Sequence, residues 1–135
     1  MMAAARDFRL VFVMAANEGE SGRIAQALVE ENLAACVNIV GPVHSTYRWR
    51  GTVETASEYM LLIKAPMRHF SQLERRVREL HSYDVPEIVA VTLTAGSRPY
   101  VAWMAESTVL ARPSASPRSR RRSVGISREV KKQRT

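Results

Sequence analysis

Residues 36–65 contain two β-prone runs placed end to end, and together they are too long for a small domain to cover. The first, residues 36–50, is broken at Gly41-Pro42, where the missing ladder donor of proline predicts a kink, bulge or edge. Beyond that break Val43, Ser45, Tyr47 and Trp49 fall on one face, and His44, Arg48 and Arg50 on the other. Gly51-Thr52 supplies a turn, and residues 53–65 return as a second long strand. An isolated two-stranded hairpin is marginal in water, and this one presents two large aromatic rings on one face. Whatever fold the chain adopts must support a hairpin that overhangs its own sheet.

The rest of the sequence supplies that sheet. Phe8 to Ala15 alternates, with Phe8, Leu10, Phe12 and Met14 on one side and Val11 and Val13 on the other, the pattern of a central strand. Asn17 followed by Glu20 matches an N-terminal cap with its reciprocal acid, and Ile24, Leu28 and Val29 predict a helix running to about Leu33. Glu30 and Glu31 fall off that stripe toward water. Pro66 ends the hairpin. Phe70, Leu73, Val77 and Leu80 then mark a second helix stopping near His81, with Glu74–Arg78 and Arg75–Glu79 as (i, i+4) pairs. Residues 87–94 form a last strand, and Ser97 with Pro99 opens a short helix holding Tyr100, Trp103 and Met104. The order is β-α-β-β-α-β plus a helix, an α+β, ferredoxin-like sandwich with a long central hairpin.

Charge divides the chain at about residue 111. The formal net charge is +7, yet residues 111–135 hold nine cations against one acid, while residues 1–110 hold eleven cations against twelve acids. The basic character therefore belongs to a Pro-, Ser- and Arg-rich tail, expected to be disordered, and not to the domain at 1–110. Cys36 is the only cysteine, which excludes an intrachain disulfide and suits a reducing, cytoplasmic setting. No apolar run reaches membrane-spanning length, and no secretory leader is expected at the N-terminus.

Element order alone decides little about function. The wording of particular segments says more. Leu33-Ala34-Ala35-Cys36-Val37-Asn38, Ser45-x-Tyr47-x-Trp49-x-Gly51, Glu58 with Leu62-Ile63-Lys64, His81-Ser82-Tyr83-Asp84-Val85-Pro86-Glu87-Ile88 and Tyr100-x-x-Trp103 occur in that order. Together they resemble the CutA family of divalent-cation (copper) tolerance proteins. That resemblance implies a homotrimer whose hairpins reach into neighbouring subunits, copper binding, a role in metal tolerance and no catalysis. On this basis Tyr47, Trp49, Lys64, Tyr83, Pro86 and Trp103 are expected in interfaces or the core.

The resemblance also suggests metal ligands. In bacterial members a copper site is assigned to a cysteine ending the first strand and to the histidine region before the Pro-Tyr pair. Here the strand-end position is Met14, a softer thioether, so the candidate set becomes His81, Met14, Glu87 and Cys36. Each has a plainer reading: His81 as a helix-end residue, Glu87 as a solvated acid, and Cys36 as a small buried core residue. Lys64 pairs with Glu58 or Glu87, or else offers its charge to an anionic ligand. His44 and His69 are expected to be exposed. No nucleophile–base constellation, phosphate-binding loop or zinc-protease motif occurs, so no enzyme is expected.

Two other functions compete. A trimer of the nitrogen-regulatory type would bind a small anionic ligand between subunits, but the six glycines do not cluster into a phosphate cradle. An RNA-recognition domain shares the element order, but its third strand should be aromatic-rich, and residues 53–64 offer only Tyr59. The basic tail could still contact nucleic acid or acidic partners non-specifically.

Overall fold

Eight residues of alternating apolar character make β1 (Phe8–Ala15), and its odd-numbered side chains Val11, Val13 and Ala15 are buried. The structure, a computed structural model, describes residues 2–110; the expected disordered tail lies outside the described residues. After β1 the chain forms α1 (Glu18–Glu30), β2 (Cys36–Trp49), β3 (Thr52–Pro66), α2 (Phe70–Leu80), β4 (Ile88–Thr92) and α3 (Arg98–Glu106). The four strands make one antiparallel sheet in the order β2-β3-β1-β4. This is the α+β arrangement read from the sequence.

Local chemistry sets the ends of the elements. Asn17 caps α1 by accepting from the Glu20 N–H at 2.8 Å. The helix stops three residues earlier than its periodicity suggests because Asn32 turns left-handed (φ 61°), and the Leu33 N–H returns to the Leu28 carbonyl at 3.0 Å. Ser97 caps α3, with Pro99 in its first turn. The hairpin turn lies one residue before the expected position. Arg50 and Gly51 are its two central residues, at φ 53° and 83°, flanked by the Trp49–Thr52 pair. Two positive φ values suit the right-handed strand twist, and glycine takes the second without strain.

Helices α1 and α2 cover one face of the sheet. Ile24, Leu28, Leu73 and Val77 pack there with Val11, Val13, Leu61 and Ile63, all fully buried. Between the helices Glu74 pairs with Arg78 as expected, but Glu79 pairs with Arg76 and not with Arg75. Arg76 also takes Glu31, the residue that caps the C-terminus of α1, in a fork of hydrogen bonds at 2.9–3.0 Å. On the opposite face α3 covers only one end, where Val101 and Met104 meet Phe8 and Ala35. Among the described residues nothing covers the remainder: Val89 and Val91 are each 50% exposed and Val40 is 44% exposed. Leu10, Phe12 and Leu62 share that face by register.

The break at Gly41-Pro42 is a bulge, with the β2–β3 register shifting between Val40 and Val43. A Cβ at Gly41 would lie 2.3 Å from Cδ2 of Tyr59, whose ring crosses the space a side chain would need. His69, expected to be exposed, is instead 3% exposed under the short Met67–His69 turn. His69 is the N-cap residue of α2, whose Leu73 and Val77 are fully buried against the sheet.

Gly41→Ala should lower stability by about 1–3 kcal/mol through overpacking, whereas Gly22→Ala, with open space around it in α1, should be neutral or stabilising. Urea denaturation of both variants checks this. The His69 imidazole is held below its usual value of 6.5 by burial first and Arg68 second, against a raising hydrogen bond to the Leu33 backbone. The unfolded chain thus binds the proton more readily, so stability should fall as pH drops below 6.5 toward the folded value. His69→Gln should flatten the stability–pH slope in that window when compared with the parent protein.

Candidate functional site

The segment between α2 and β4 is tied to three other elements, and His81 is the first tie. Its side chain is fully buried. Nε2 lies 2.7 Å from the Met14 carbonyl, which can only accept, so that nitrogen carries the proton. Nδ1 accepts from the Tyr83 N–H at 3.1 Å and lies 3.1 Å from Oε2 of Glu20. Both ring nitrogens are engaged within the chain.

Glu20 is the second tie. Sequence reading gives it the reciprocal half of the α1 cap, but its carboxylate turns away from Asn17. It accepts instead from the Ser82 N–H at 3.1 Å and the Ser82 hydroxyl at 2.7 Å. Buried in the first turn of α1, the charge is also favoured by the helix N-terminus. Tyr83 is the third tie. Its ring sits 4.8 Å from the His81 ring, and its hydroxyl donates to Oε2 of Glu58 at 2.8 Å. Glu58 belongs to the part of β3 that has passed the end of β1, so this bond joins the segment to the overhanging hairpin.

Between hairpin and segment lies a cleft of about 430 Å³. Tyr47 and Trp49 line it from β2, Tyr83 and Glu87 from the opposite side, with Met14 also in its lining. Four carboxylates, those of Glu54, Glu58, Asp84 and Glu87, face it with one cation, Arg50. The Arg50 guanidinium lies over the Trp49 indole, 5.4 Å from the ring centroid.

The four candidate metal ligands do not come together in the chain. Met14 and Glu87 share the cleft, but His81 meets Met14 through the main chain and not the thioether. Cys36 is opposite Lys64, which is opposite Leu10, four residues from Met14 and hence about 13 Å along the strand. Among the described residues no three His, Cys, Asp or Glu side chains group as a metal cluster. Cys36 is half-buried, not a core residue: its sulfur lies 3.9 Å from the Lys64 ammonium, and burial first, with Cys36 second, raises the Tyr100 phenol above its usual range. Lys64 pairs with neither Glu58 nor Glu87. It donates to Oδ1 of Asn38 at 2.7 Å, because Glu58 lies six positions away along the same strand, about 20 Å. Pro86 is half-buried in the segment, and Trp103, 43% exposed, packs on Tyr100 with ring centroids 5.3 Å apart.

A family model described as CutA1 divalent ion tolerance protein matches residues 9–107. The divalent-cation tolerance protein CutA of Thermus thermophilus is 46% identical over 99 residues, covering 73% of this chain and 96% of that protein. The chloroplastic protein CutA of Arabidopsis thaliana is 40% identical over 99 residues, covering 73% of this chain but 54% of that protein. The chain thus spans nearly all of the bacterial relative and about half of the plant one. The solved structure of the Thermus thermophilus divalent cation tolerance protein superposes with a TM-score of 0.74 at 45% identity, over 76% of this chain and 99% of that one.

Glu20→Ala should cost about 2–3 kcal/mol, because it leaves the half-buried Ser82 donors without their charged acceptor. Ser82→Ala, which removes only the hydroxyl bond, should cost about 1 kcal/mol. Thermal and urea unfolding of the two variants should keep that order.

Proposed function

The chain belongs to the family of CutA1 divalent ion tolerance proteins, and from that premise we propose that it acts in divalent-cation tolerance as a non-catalytic homotrimer. The observation that carries the assembly is the uncovered sheet face. Val40, Val89 and Val91 lie in water in the single chain, on the same face as Leu10, Phe12 and Leu62. A sheet face of this kind is normally covered, and a second copy is the simplest cover available.

The hairpin supports the same reading. β1 pairs β3 only as far as Tyr59, so residues 52–58 of β3 have β2 as their one partner, and β2 is an edge strand throughout. A long edge carrying Tyr47 and Trp49 is stabilised by addition to a neighbour's sheet. Head-to-tail additions of this type close into a ring of three without leaving a free edge.

Copper fits this chain poorly. Both nitrogens of His81 are committed to Met14, Tyr83 and Glu20, and Cys36 lies at the other end of the sheet. No part of the proposed function is therefore routed through a copper ion on these residues. The RNA-binding alternative gains no support: Tyr59, the single aromatic residue of β3, is turned toward the bulge at Gly41.

Sedimentation should give a mass near three times 15.2 kDa, about 46 kDa. Val89→Lys combined with Val91→Lys should leave secondary structure intact and shift the mass toward that of one chain. A parent protein that sediments as a monomer would refute the assembly; a double variant that stays trimeric would remove the sheet face from it.

A further inference from the structure

Beyond the end of β1 the hairpin has to be aimed, and the pairing of its own two strands does not aim it. We propose that Tyr83 is a positioning residue that fixes the hairpin's direction through its bond to Glu58, and that this direction closes the assembly at three. The inference rests on the trimeric reading and adds what governs it from inside one copy.

The two ends of that bond are held differently. On one side the 81–83 segment is clamped. The His81 imidazole donates to the Met14 carbonyl at 2.7 Å, the Tyr83 N–H returns to the same ring at 3.1 Å, and Glu20 holds both the amide and the hydroxyl of Ser82. Met14 and Glu20 belong to β1 and α1, so the Tyr83 hydroxyl is presented from the body of the molecule. The ribbon is less constrained. β1 pairs β3 only as far as Tyr59, residues 52–58 have β2 beside them, and the β2–β3 register is broken between Val40 and Val43. Bulges bend a strand, and a two-stranded ribbon varies in twist more than a wide sheet does. Glu58 is the first residue of the ribbon past Tyr59, and it is 6% exposed. Its bond from the Tyr83 hydroxyl at 2.8 Å is charge-assisted and shielded from water, the stronger kind of side-chain hydrogen bond.

A bond at the foot of the ribbon has leverage over its tip. Gly51, in the turn, is seven positions from Glu58, about 23 Å along the strand. A rotation of about 10° at the foot therefore moves the turn by about 4 Å, close to the ~4.8 Å that separates paired strands. Head-to-tail contacts close into a ring at one rotation per subunit and run on as open chains at others. An error of one strand spacing at the tip is enough to miss a neighbour's edge. The Tyr83–Glu58 bond thus governs closure although both of its ends lie within one chain.

The test reads direction and closure separately. Spin labels are placed on Thr52→Cys in the hairpin and Gln26→Cys on α1, both at exposed positions, with Cys36→Ser. Labelled chain is co-refolded with excess unlabelled chain, so that pulsed dipolar spectroscopy reads the distance within one copy. The parent should give one narrow distance, and Tyr83→Phe should broaden it about twofold or more. Glu58→Leu, which removes the acceptor, should do the same, whereas Glu58→Gln, which keeps an acceptor oxygen, should stay close to the parent. Ser82→Ala removes a hydroxyl bond of the same segment that runs to α1, and it should leave the distance unchanged. In unlabelled samples Tyr83→Phe should spread the sedimenting mass away from three chains. Its subunits should exchange about tenfold or more faster than the parent's, the factor expected for one charge-assisted hydrogen bond. An unchanged distance in Tyr83→Phe, equal broadening in Ser82→Ala, or a broadened distance in a trimer that exchanges as slowly as the parent would each overturn the proposal. A monomeric parent would refute the trimeric reading and the closure built on it, while the distances still decide whether Tyr83 aims the hairpin.

Discussion

Strand β1 ends at Ala15, opposite Tyr59, and the seven residues of β3 before that point have only β2 beside them. The rest of the molecule is arranged around this mismatch in strand length. Below Tyr59 the sheet is four strands wide and sealed on one face by α1 and α2. Above it the chain is a two-stranded ribbon, which cannot be stable through its own pairing. The bulge at Gly41-Pro42 lies close to this boundary, where the extra residue increases twist and re-aims the ribbon. The Tyr83–Glu58 bond joins the ribbon to the body, and both residues line the cleft.

Two buried carboxylates manage their charge in different ways. Glu20 has its donors supplied by the Ser82 amide and hydroxyl, and its charge is favoured by the helix N-terminus. It works as a fastener holding residues 81–83 to α1. Glu58 has one neutral donor and lies in a cavity of negative sign. The first joins a loop to a helix, and the second joins the same loop to the hairpin.

His81 shows how a residue legible as a ligand can be absorbed by the fold. Its place at a helix end and its similarity to a family motif suggest an imidazole that caps the helix or binds metal. In the structure the helix stops one residue earlier, the backbone at His81 turns extended (ψ 145°), and the ring swings inward to the Met14 carbonyl. The partners that take up its nitrogens come from β1, α1 and its own loop. Met14 and Glu20 are 67 and 61 positions away in sequence, Met14 through a main-chain oxygen that every residue possesses. No pattern of residue types could have announced that contact.

Fold and family were legible because they rest on local periodicities and on motifs that lie within short stretches. The two-residue period of β1, the helical spacing of Leu73, Val77 and Leu80, the caps at Asn17 and Ser97 and the break at Gly41-Pro42 each act over a few residues. The faces of β2 were legible for the same reason, since strand alternation alone puts Tyr47 and Trp49 together. Pairings across the chain were not. Lys64 lies too far along its own strand to reach Glu58, His69 is carried into the core by the helix that follows it, and Cys36 lies about 13 Å along the sheet from Met14. The sequence by itself determined the elements, their order and the hairpin's excess length, because these follow from short-range sterics and alternation. Only the tertiary structure decided which carboxylate is fastened and which faces the cleft, because burial and partnership depend on residues far apart in the chain meeting in space.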